Sequence, residues 1–312
     1  MSTYLVTGGA GFIGSHLVGQ LIESGHTVRV LDSLATGKRE NLAEWIDRVA
    51  FIEGDVRRRD VCLAACRDVE VVFHQAAIPS VPRSVEDPVL THEVNVDGTF
   101  NVLLAARDAG CRRVVYAASS SAYGGKAELP SRESATPAPM SPYAVHKLLG
   151  EYYCRAFTEC YGLDTVSLRY FNVFGPRQDP KSTYAAAVPA FVTAVLNDRP
   201  PTVFGDGEQT RDFTYISNVV RANVLAAGAD ACGGAVVNIA CGERISVNKI
   251  LLRINELLGK QVTPVYAPDR AGDVKHSSAD ISRAREVIGY EPVVTFDDGL
   301  SRAINWYAEH LG

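Results

Sequence analysis

Tyr4-Leu5-Val6-Thr7-Gly8-Gly9-Ala10-Gly11-Phe12-Ile13-Gly14-Ser15-His16-Leu17 is the stretch that decides the fold. An apolar, β-prone run stops at a turn with glycines at 8, 11 and 14, and an apolar helical pattern begins at once. Three glycines so spaced are a weak signal alone. Between a strand and a helix they become a strong one, because a dinucleotide needs a tight turn, backbone close to its pyrophosphate and a helix packed hard on its strand. The first turn of that helix, Phe12 and Ile13 included, offers unpaired N–H groups and a partial positive charge to the phosphates. Asp32 closes the next β-branched run, 18 residues past Gly14. A carboxylate there accepts hydrogen bonds from the adenosine ribose and repels a 2′-phosphate, so the expected cofactor is NAD rather than NADP. Lys38 and Arg39 follow on what reads as a solvated loop. Asp55 and Val56, just beyond Phe51-Ile52-Glu53, are expected at the adenine by the same sheet-edge logic.

Outward from the turn, residues 4–7, 27–32, 69–74, 113–118 and 165–169 read as short strands with helical stretches between them. Continuous apolar runs flanked by amphipathic helices imply strands covered on both faces, hence an α/β, doubly wound (Rossmann) parallel sheet. From Asn172 onward, Gly-, Pro- and Asp-rich connections such as Phe174-Gly175-Pro176-Arg177-Gln178-Asp179-Pro180 predominate. The expectation is a cofactor domain over 1–171 and a second, smaller α/β substrate domain over 172–312. Parts of 213–242 are expected to rejoin the first, because 235–240 reads as another strand.

The 312 residues are 46% apolar and 21% charged with a net charge of -5, an ordinary globular balance. Basic residues are scattered and Arg57-Arg58-Arg59 is the only such run noted, so no nucleic-acid partner is expected. No stretch approaches the roughly 18 apolar residues of a membrane span, and no leader-like segment precedes the first strand. The seven cysteines form no CxxC pair, which suits a reducing cytoplasm. Cys62 and Cys66 stand one helical turn apart without a further ligand nearby, so no metal is expected.

The chemistry reads most clearly at Tyr143-Ala144-Val145-His146-Lys147, which follows the strand end Ser119-Ser120-Ser121-Ala122-Tyr123-Gly124. Ser141-Pro142 marks a helix start, so Tyr143 and Lys147 share a face. An ammonium beside a phenol, together with a cationic nicotinamide, stabilises phenolate and lets Tyr143 act as a base near neutral pH. Each piece has a plainer reading, since such pairs are common on helices, serine clusters mark turns and arginines often form surface ion pairs. Their joint occurrence, in order, after the right strands, favours a site.

In this combination the chain resembles the extended short-chain dehydrogenase/reductase family. The run Ala76-Ala77-Ile78-Pro79-Ser80-Val81-Pro82-Arg83-Ser84, together with Tyr170-Phe171-Asn172-Val173-Phe174-Gly175, Arg211-Asp212-Phe213 and Arg270-Ala271-Gly272-Asp273, resembles the UDP-hexose 4-epimerases, especially those acting on N-acetylated sugars. Pro79 departs from relatives that carry glycine there. The resemblance implies Tyr143 as base, Lys147 as its pKa-lowering partner and nicotinamide-ribose ligand, and Ser119, assisted by Ser121, as a hydroxyl on the sugar oxygen. It adds Ala76 and Asn95 to the cofactor contacts. For the UDP-sugar it implies Asn172 on the phosphate, Arg211 and Arg270 as a diphosphate clamp and Asp273 on the uridine ribose. Ser80, Val81, Ala185, Val188 and Phe204 complete the expected pocket. A homodimer is implied through helices near 94–109 and 141–161.

The implied reaction oxidises carbon 4 to a transient ketone and reduces it again from the other face. A 4,6-dehydratase would need an Asp-Glu pair after the strand-end serine, where this chain has Ser119-Ser120-Ser121-Ala122-Tyr123. A UDP-glucuronate epimerase or decarboxylase stays open, because Arg83 or Arg177 could meet a sugar carboxylate. So does an NAD-sensing binding protein, although that class would be expected to lose Tyr143 or Lys147. Ser277 stands where a bulky tyrosine restricts the pocket in some relatives, so an N-acetyl group is expected to fit.

Overall fold

A computed structural model of the chain describes residues 2–125, 127–180, 186–268 and 274–311. Six strands run β1 (Thr3–Thr7), β2 (Thr27–Asp32), β3 (Val49–Glu53), β4 (Val71–His74), β5 (Arg113–Ser119) and β6 (Asp164–Tyr170). Shorter ones follow as β7 (Val173–Phe174), β8 (Thr202–Phe204), β9 (Thr210–Arg211), β10 (Thr214–Tyr215), β11 (Ala235–Ile239), β12 (Ile245–Ser246) and β13 (Val265–Ala267). The helices among them are α1 (Phe12–Glu23), α2 (Arg59–Cys66), α3 (Val81–Glu86), α4 (Pro88–His92), α5 (Gly98–Asp108) and α6 (Pro142–Tyr161). They continue as α7 (Ala187–Leu196), α8 (Ile216–Gly228), α9 (Val247–Leu258), α10 (Ser282–Ile288) and α11 (Phe296–Leu311).

Seven strands form one parallel sheet in the order β11-β6-β5-β4-β1-β2-β3. The order reverses between β1 and β4, which opens a crevice at their C-terminal ends where ligands bind in such sheets. Burial on both faces explains the unbroken apolar strands. Leu5, Leu31, Val72, Val114 and Tyr116 pack with α2, α5 and α6 on one face. Their neighbours Val6, Val30, Phe73, Val115 and Ala117 pack with α1 and α8 on the other, the period of two that a strand imposes. β4 starts later than the sequence predicts because Val69 N bonds Cys66 O at 3.2 Å, closing the turn after α2.

β11 pairs with β6, so the chain does return to the main sheet after its excursion. Beyond residue 172, among the described residues, the remaining strands pair as β10-β7, β12-β9 and β13-β8, with one isolated bridge from Thr210 to His276. Their aromatic residues do not form a separate centre: Phe174, Phe213, Tyr215 and Phe296 cluster at ring distances of 5.6–6.2 Å and join the apolar layer that contains α1 and α8. No helix among the described residues is long and apolar enough to cross a membrane.

Candidate active site

The glycine turn sits at the crevice. Gly8 has φ of +68°, and a Cβ there would lie 2.7 Å from the backbone N of Ala76 at the end of β4. At Gly14 a Cβ would stand 2.1 Å from Gly8 O, so turn and helix touch with no room for a side chain. Gly11 caps α1 without any side-chain bond and the first turn carries no acid. The N–H groups of Phe12, Ile13 and Gly14 therefore lack intrahelical acceptors and suit an anion. Asp32 is held rigidly, its Oδ2 accepting from Ala10 N at 2.9 Å and its Oδ1 from Leu34 N at 2.8 Å. Burial pushes its carboxyl upward while these two N–H bonds pull the other way. Backbone without Cβ, bare amides and a fixed carboxylate at the end of β2 together fit a dinucleotide.

The flanking residues shape this cradle. Asp55 is turned onto Arg57 at 2.7 Å, and that guanidinium, which also reaches Glu93 at 2.8 Å, holds the Asp55 carboxyl below its ordinary value. Buried Val56 presents its carbonyl to Asn101 Nδ2 at 3.2 Å. Glu53, Gly54, Asp55, Arg57 and Glu93 line a cavity there. Asn95 lies in a π-helical turn, Glu93–Asp97, and spends its amide on Ile78: Oδ1 accepts from Ile78 N at 2.8 Å and Nδ2 donates to Ile78 O at 3.2 Å. It holds the loop that follows Ala76, whose own N–H donates to Thr7 Oγ1 at 3.3 Å. Sequence reasoning named Asn95 only as a cofactor contact and gave no hint of this bracing role, because its partners are the backbone N–H and C=O of Ile78, which leave no mark on residue type.

β5 and α6 bring the reactive side chains together. Ser141 caps α6, accepting from Ala144 N at 3.2 Å, with Pro142 in the first turn as predicted. Tyr143 N donates to the fully buried Ser84 Oγ at 3.0 Å, and Ser84 Oγ donates in turn to Val81 O at 2.6 Å. Ser84 thus fixes where the tyrosine enters, a role that its place at the end of the 76–84 run did not reveal. Ser119 ends β5 and bonds the Tyr143 phenol, while Ser121 Oγ donates to Ser119 Oγ at 2.9 Å. Lys147, 4% exposed, donates from Nζ to Ala117 O at 2.7 Å and stands 5.1 Å from the Tyr116 ring.

Burial pushes the Tyr143 phenol up and the Ser119 hydrogen bond opposes it, so the lowering expected of Lys147 and a cationic nicotinamide together starts from above the ordinary phenol value. Burial also acts on Lys147, whose ammonium is lowered to about 8.

On the substrate side, Asn172 takes a left-handed φ of +26° and donates from Nδ2 to Asp212 O at 3.1 Å. Arg211 lies on β9 and donates to Thr210 O at 3.0 Å and Lys275 O at 3.1 Å. Ser277 N donates to Thr210 O at 3.0 Å, which sets the serine beside that strand, and its buried Oγ has no hydrogen-bond partner among the described residues. Phe204 ends β8, its carbonyl taking Gln209 Nε2 at 2.6 Å. Ser80 caps α3 by accepting from Arg83 N at 3.2 Å, and Val81 after it is exposed. Val188 packs its side chain into the apolar core. Ala185, Arg270 and Asp273 lie outside the described residues.

Two further residues matter here. Asp212, fully buried, accepts from Cys241 N at 3.0 Å and from Gly242 N and Ala279 N at 3.1 Å, tying the strand that bears Arg211 to the segment that bears Ser277. Its carboxyl is pushed up to about 6 by burial. The run Arg211-Asp212-Phe213 drew notice for its arginine, not for this staple. Arg177 is turned from the sugar side: its guanidinium lies 4.8 Å over the Trp45 ring and 3.5 Å from Ser15 Oγ on α1. Among the described residues no group of three His, Cys, Asp or Glu side chains could hold a metal ion.

Comparison with known proteins places this geometry. The sequence model described as "NAD dependent epimerase/dehydratase family" matches residues 4–240. A UDP-glucose 4-epimerase of Mycolicibacterium smegmatis is 41% identical over 97% of each chain. The solved UDP-N-acetylglucosamine 4-epimerase of Methanobrevibacter ruminantium, in complex with UDP-N-acetylmuramic acid, superposes with a TM-score of 0.95 at 39% identity over 99% of each chain. A UDP-glucose 4-epimerase of Thermus thermophilus in complex with NAD gives 0.90 at 38% identity over 98% of each.

Proposed function

The chain belongs to the NAD dependent epimerase/dehydratase family, and from that premise we propose that it inverts the 4-hydroxyl of UDP-hexoses, with UDP-GlcNAc and UDP-GalNAc among its substrates. It is an enzyme and its cofactor is NAD. The observation that carries the reading is the convergence of Tyr143, Ser119 and Lys147 at the end of β5, beside the glycine cradle. When bound, NAD supplies the hydride acceptor and donor for carbon 4 and a positive ring beside the phenol, with no net redox change.

The chain's own groups do the rest. Ser119, oriented by Ser121, donates to a lone pair of the sugar O4 and so directs the O4–H bond toward the phenol. Tyr143 takes the O4 proton at its phenol oxygen and later returns it. Its buried position raises the cost of that charge, which the buried Lys147 ammonium helps to offset. Arg211 and Arg270 suit a diphosphate through bidentate, charge-assisted bonds, which anchor the nucleotide while the hexose turns over. We assign this work to two units, residues 1–171 with the returning strand for NAD and 172–312 for the UDP-sugar.

Ser277 supports the N-acetyl assignment: it is small, and among the described residues its buried Oγ has no partner, which an amide would provide. Incubation with UDP-Glc, UDP-GlcNAc and UDP-GlcA separately, with products resolved by NMR, tests the reading; epimerised UDP-GlcNAc is expected. Ser277→Tyr should lower turnover of UDP-GlcNAc by about tenfold or more while sparing UDP-Glc. Equal rates on both after the change would remove the gatekeeper. A second copy of the chain is proposed to cover α5 and α6, where Phe100, Val145, Tyr152 and Tyr161 are 37–55% exposed. A monomer by light scattering at working concentration would withdraw that assignment.

A further inference from the structure

Behind the phenol and the ammonium lies a layer of charge that the chemistry above does not use. Glu151 follows Lys147 by one turn of α6 and is 2% exposed, and Arg169 on β6 is 3% exposed. Arg169 takes both carboxylate oxygens, Nε to Oε1 at 2.8 Å and NH2 to Oε2 at 2.7 Å. The same guanidinium lies 4.5 Å over the Tyr123 ring, whose phenol donates to Asn238 Oδ1 at 2.7 Å. Desolvating two charges consumes most of what their attraction returns, so stability alone is a weak reason to bury such a pair.

Position offers a better one. A carboxylate four residues after a lysine on a helix ordinarily draws its ammonium. Here, among the described residues, no ion pair joins Lys147 to Glu151, and Lys147 Nζ bonds Ala117 O instead, two residues short of Ser119. The other titratable groups around Lys147 are Tyr143 and Cys154 on its own helix, Tyr116 on β5, His74 on β4 and, beyond Arg169, Tyr123. Burial holds His74 down at about 3, Cys154 and Tyr123 up at about 12, and Tyr116 and Tyr143 above their ordinary values, so all are uncharged near neutrality. The fully buried charges that remain are Lys147, Glu151 and Arg169, and they sum to +1 beneath the active site; half-buried Glu133, whose Oε1 accepts from Asn238 N at 2.7 Å, faces Arg169 from the side away from Lys147 and is the same in every variant below.

We propose that Glu151 and Arg169 are positioning residues for Lys147: Arg169 occupies both oxygens of Glu151 and so leaves the ammonium free for the active site, while Glu151 cancels the second cation. The kinetic consequences rest on the epimerase reading. Without Arg169, Glu151 captures Lys147, the layer falls to zero net charge, and Tyr143 ionises at higher pH. Without Glu151, two buried cations face each other and Lys147 sheds its proton at lower pH.

The test compares Arg169→Met, Glu151→Gln and the double variant, all loaded with NAD. The acid limb of the kcat profile should rise by about one pH unit in the first, and the alkaline limb should fall by about one in the second. Both limbs should return close to wild type in the double variant, where Lys147 alone supplies the +1. A pair that merely fastens α6 to β6 would lower kcat with the limbs unmoved and leave the double variant worst, which overturns the proposal. If these variants do not fold, the Lys147 ammonium is titrated by nitrogen NMR in the wild-type protein and in Arg169→Lys, which keeps the charge but loses the fork. Titration well below the ordinary lysine value, moving upward in Arg169→Lys, supports the proposal, and an ordinary value in both overturns it. A wild-type protein that turns over no UDP-sugar would instead sink the epimerase reading, with this titration still readable.

Discussion

The two halves of the crevice are built differently. On the cofactor side, strands of four to seven residues pair along their length, so the positions of Gly8, Asp32 and Ser119 follow from continuous backbone ladders. On the substrate side, β7, β9, β10 and β12 are two residues long, and buried side chains do what ladders cannot. Asp212 gathers three backbone N–H groups, Asn218 accepts from Val293 N and Val294 N and donates to Val294 O, and Asn238 donates to Ser131 O and Asp280 O. A ladder survives the loss of a side chain. A staple does not, so on the function proposed above the chemistry would rest on the rigid half and selectivity on the half that substitution can reshape.

The sharpest division concerns turnover. Tyr143→Phe should lower kcat by about 10³-fold while bound NAD and melting temperature stay near wild type, because only the phenol oxygen is removed. Activity within tenfold of wild type would move the proton chemistry away from β5 and α6 and break the comparison outright. Gly14→Ala tests the ladder half by geometry alone. Its Cβ would meet Gly8 O at 2.1 Å, so α1 must shift away from the turn. We expect a loss of about 1–3 kcal/mol in stability and purification without NAD, measured by denaturant midpoint and by absorbance of the released nucleotide.

The same contrast explains what the sequence disclosed. Strand positions, the glycine turn, Asp32 and the Tyr143–Lys147 face were legible because periodicity and spacing are local, and β11 was visible as a β-branched run although its partner β6 is far away in sequence. The bracing roles of Ser84, Asn95 and Asp212 were not, since each acts through backbone groups 17 to 67 residues away and a backbone partner leaves no mark on residue type. Around Tyr143, spacing showed the lysine on the same face, but not that burial would push the phenol up or that the ammonium would also donate to Ala117 O.

Two buried ionisable groups should give the halves opposite responses to pH. His74, on the ladder side between Thr7 Oγ1 at 2.7 Å and Thr99 Oγ1 at 3.0 Å, is lowered to about 3 by burial, with Lys147 adding to it. Its stability contribution is present above the unfolded value of about 6.5 and is lost as pH falls toward 3. Asp212 is raised to about 6, so its contribution is present below 3.8 and lost as pH rises through 6. Between pH 4 and 6, each group should contribute a slope of roughly 1 kcal/mol per pH unit, of opposite sign. Urea midpoints across this range should therefore fall less on acidification in His74→Gln, and fall more steeply in Asp212→Asn. Slopes that change in the same direction would show that the two burials are not equivalent in kind.

The smallest effect is expected where the halves meet. Residues 175–180 cross from the end of β7 to the cofactor turn: Pro176 O pairs with His16 Nε2 at 2.9 Å, Arg177 covers Trp45, and Asp179 reaches Lys38 at 3.1 Å. Lys38 in turn bonds Ala10 O through its backbone N at 3.0 Å, so this crossing braces the glycine turn from the substrate side. Arg177→Ala removes a half-buried guanidinium stacked on an indole, whereas Lys38→Ala removes an ion pair whose side chains are 55% and 43% exposed and so screened by solvent. NAD release, followed by exchange against labelled dinucleotide, should quicken by about threefold to tenfold in the first and less than twofold in the second, with kcat of the loaded enzyme little changed. Equal and negligible effects would mean that the shared apolar core, not this crossing, is what makes the cofactor half and the substrate half behave as one body.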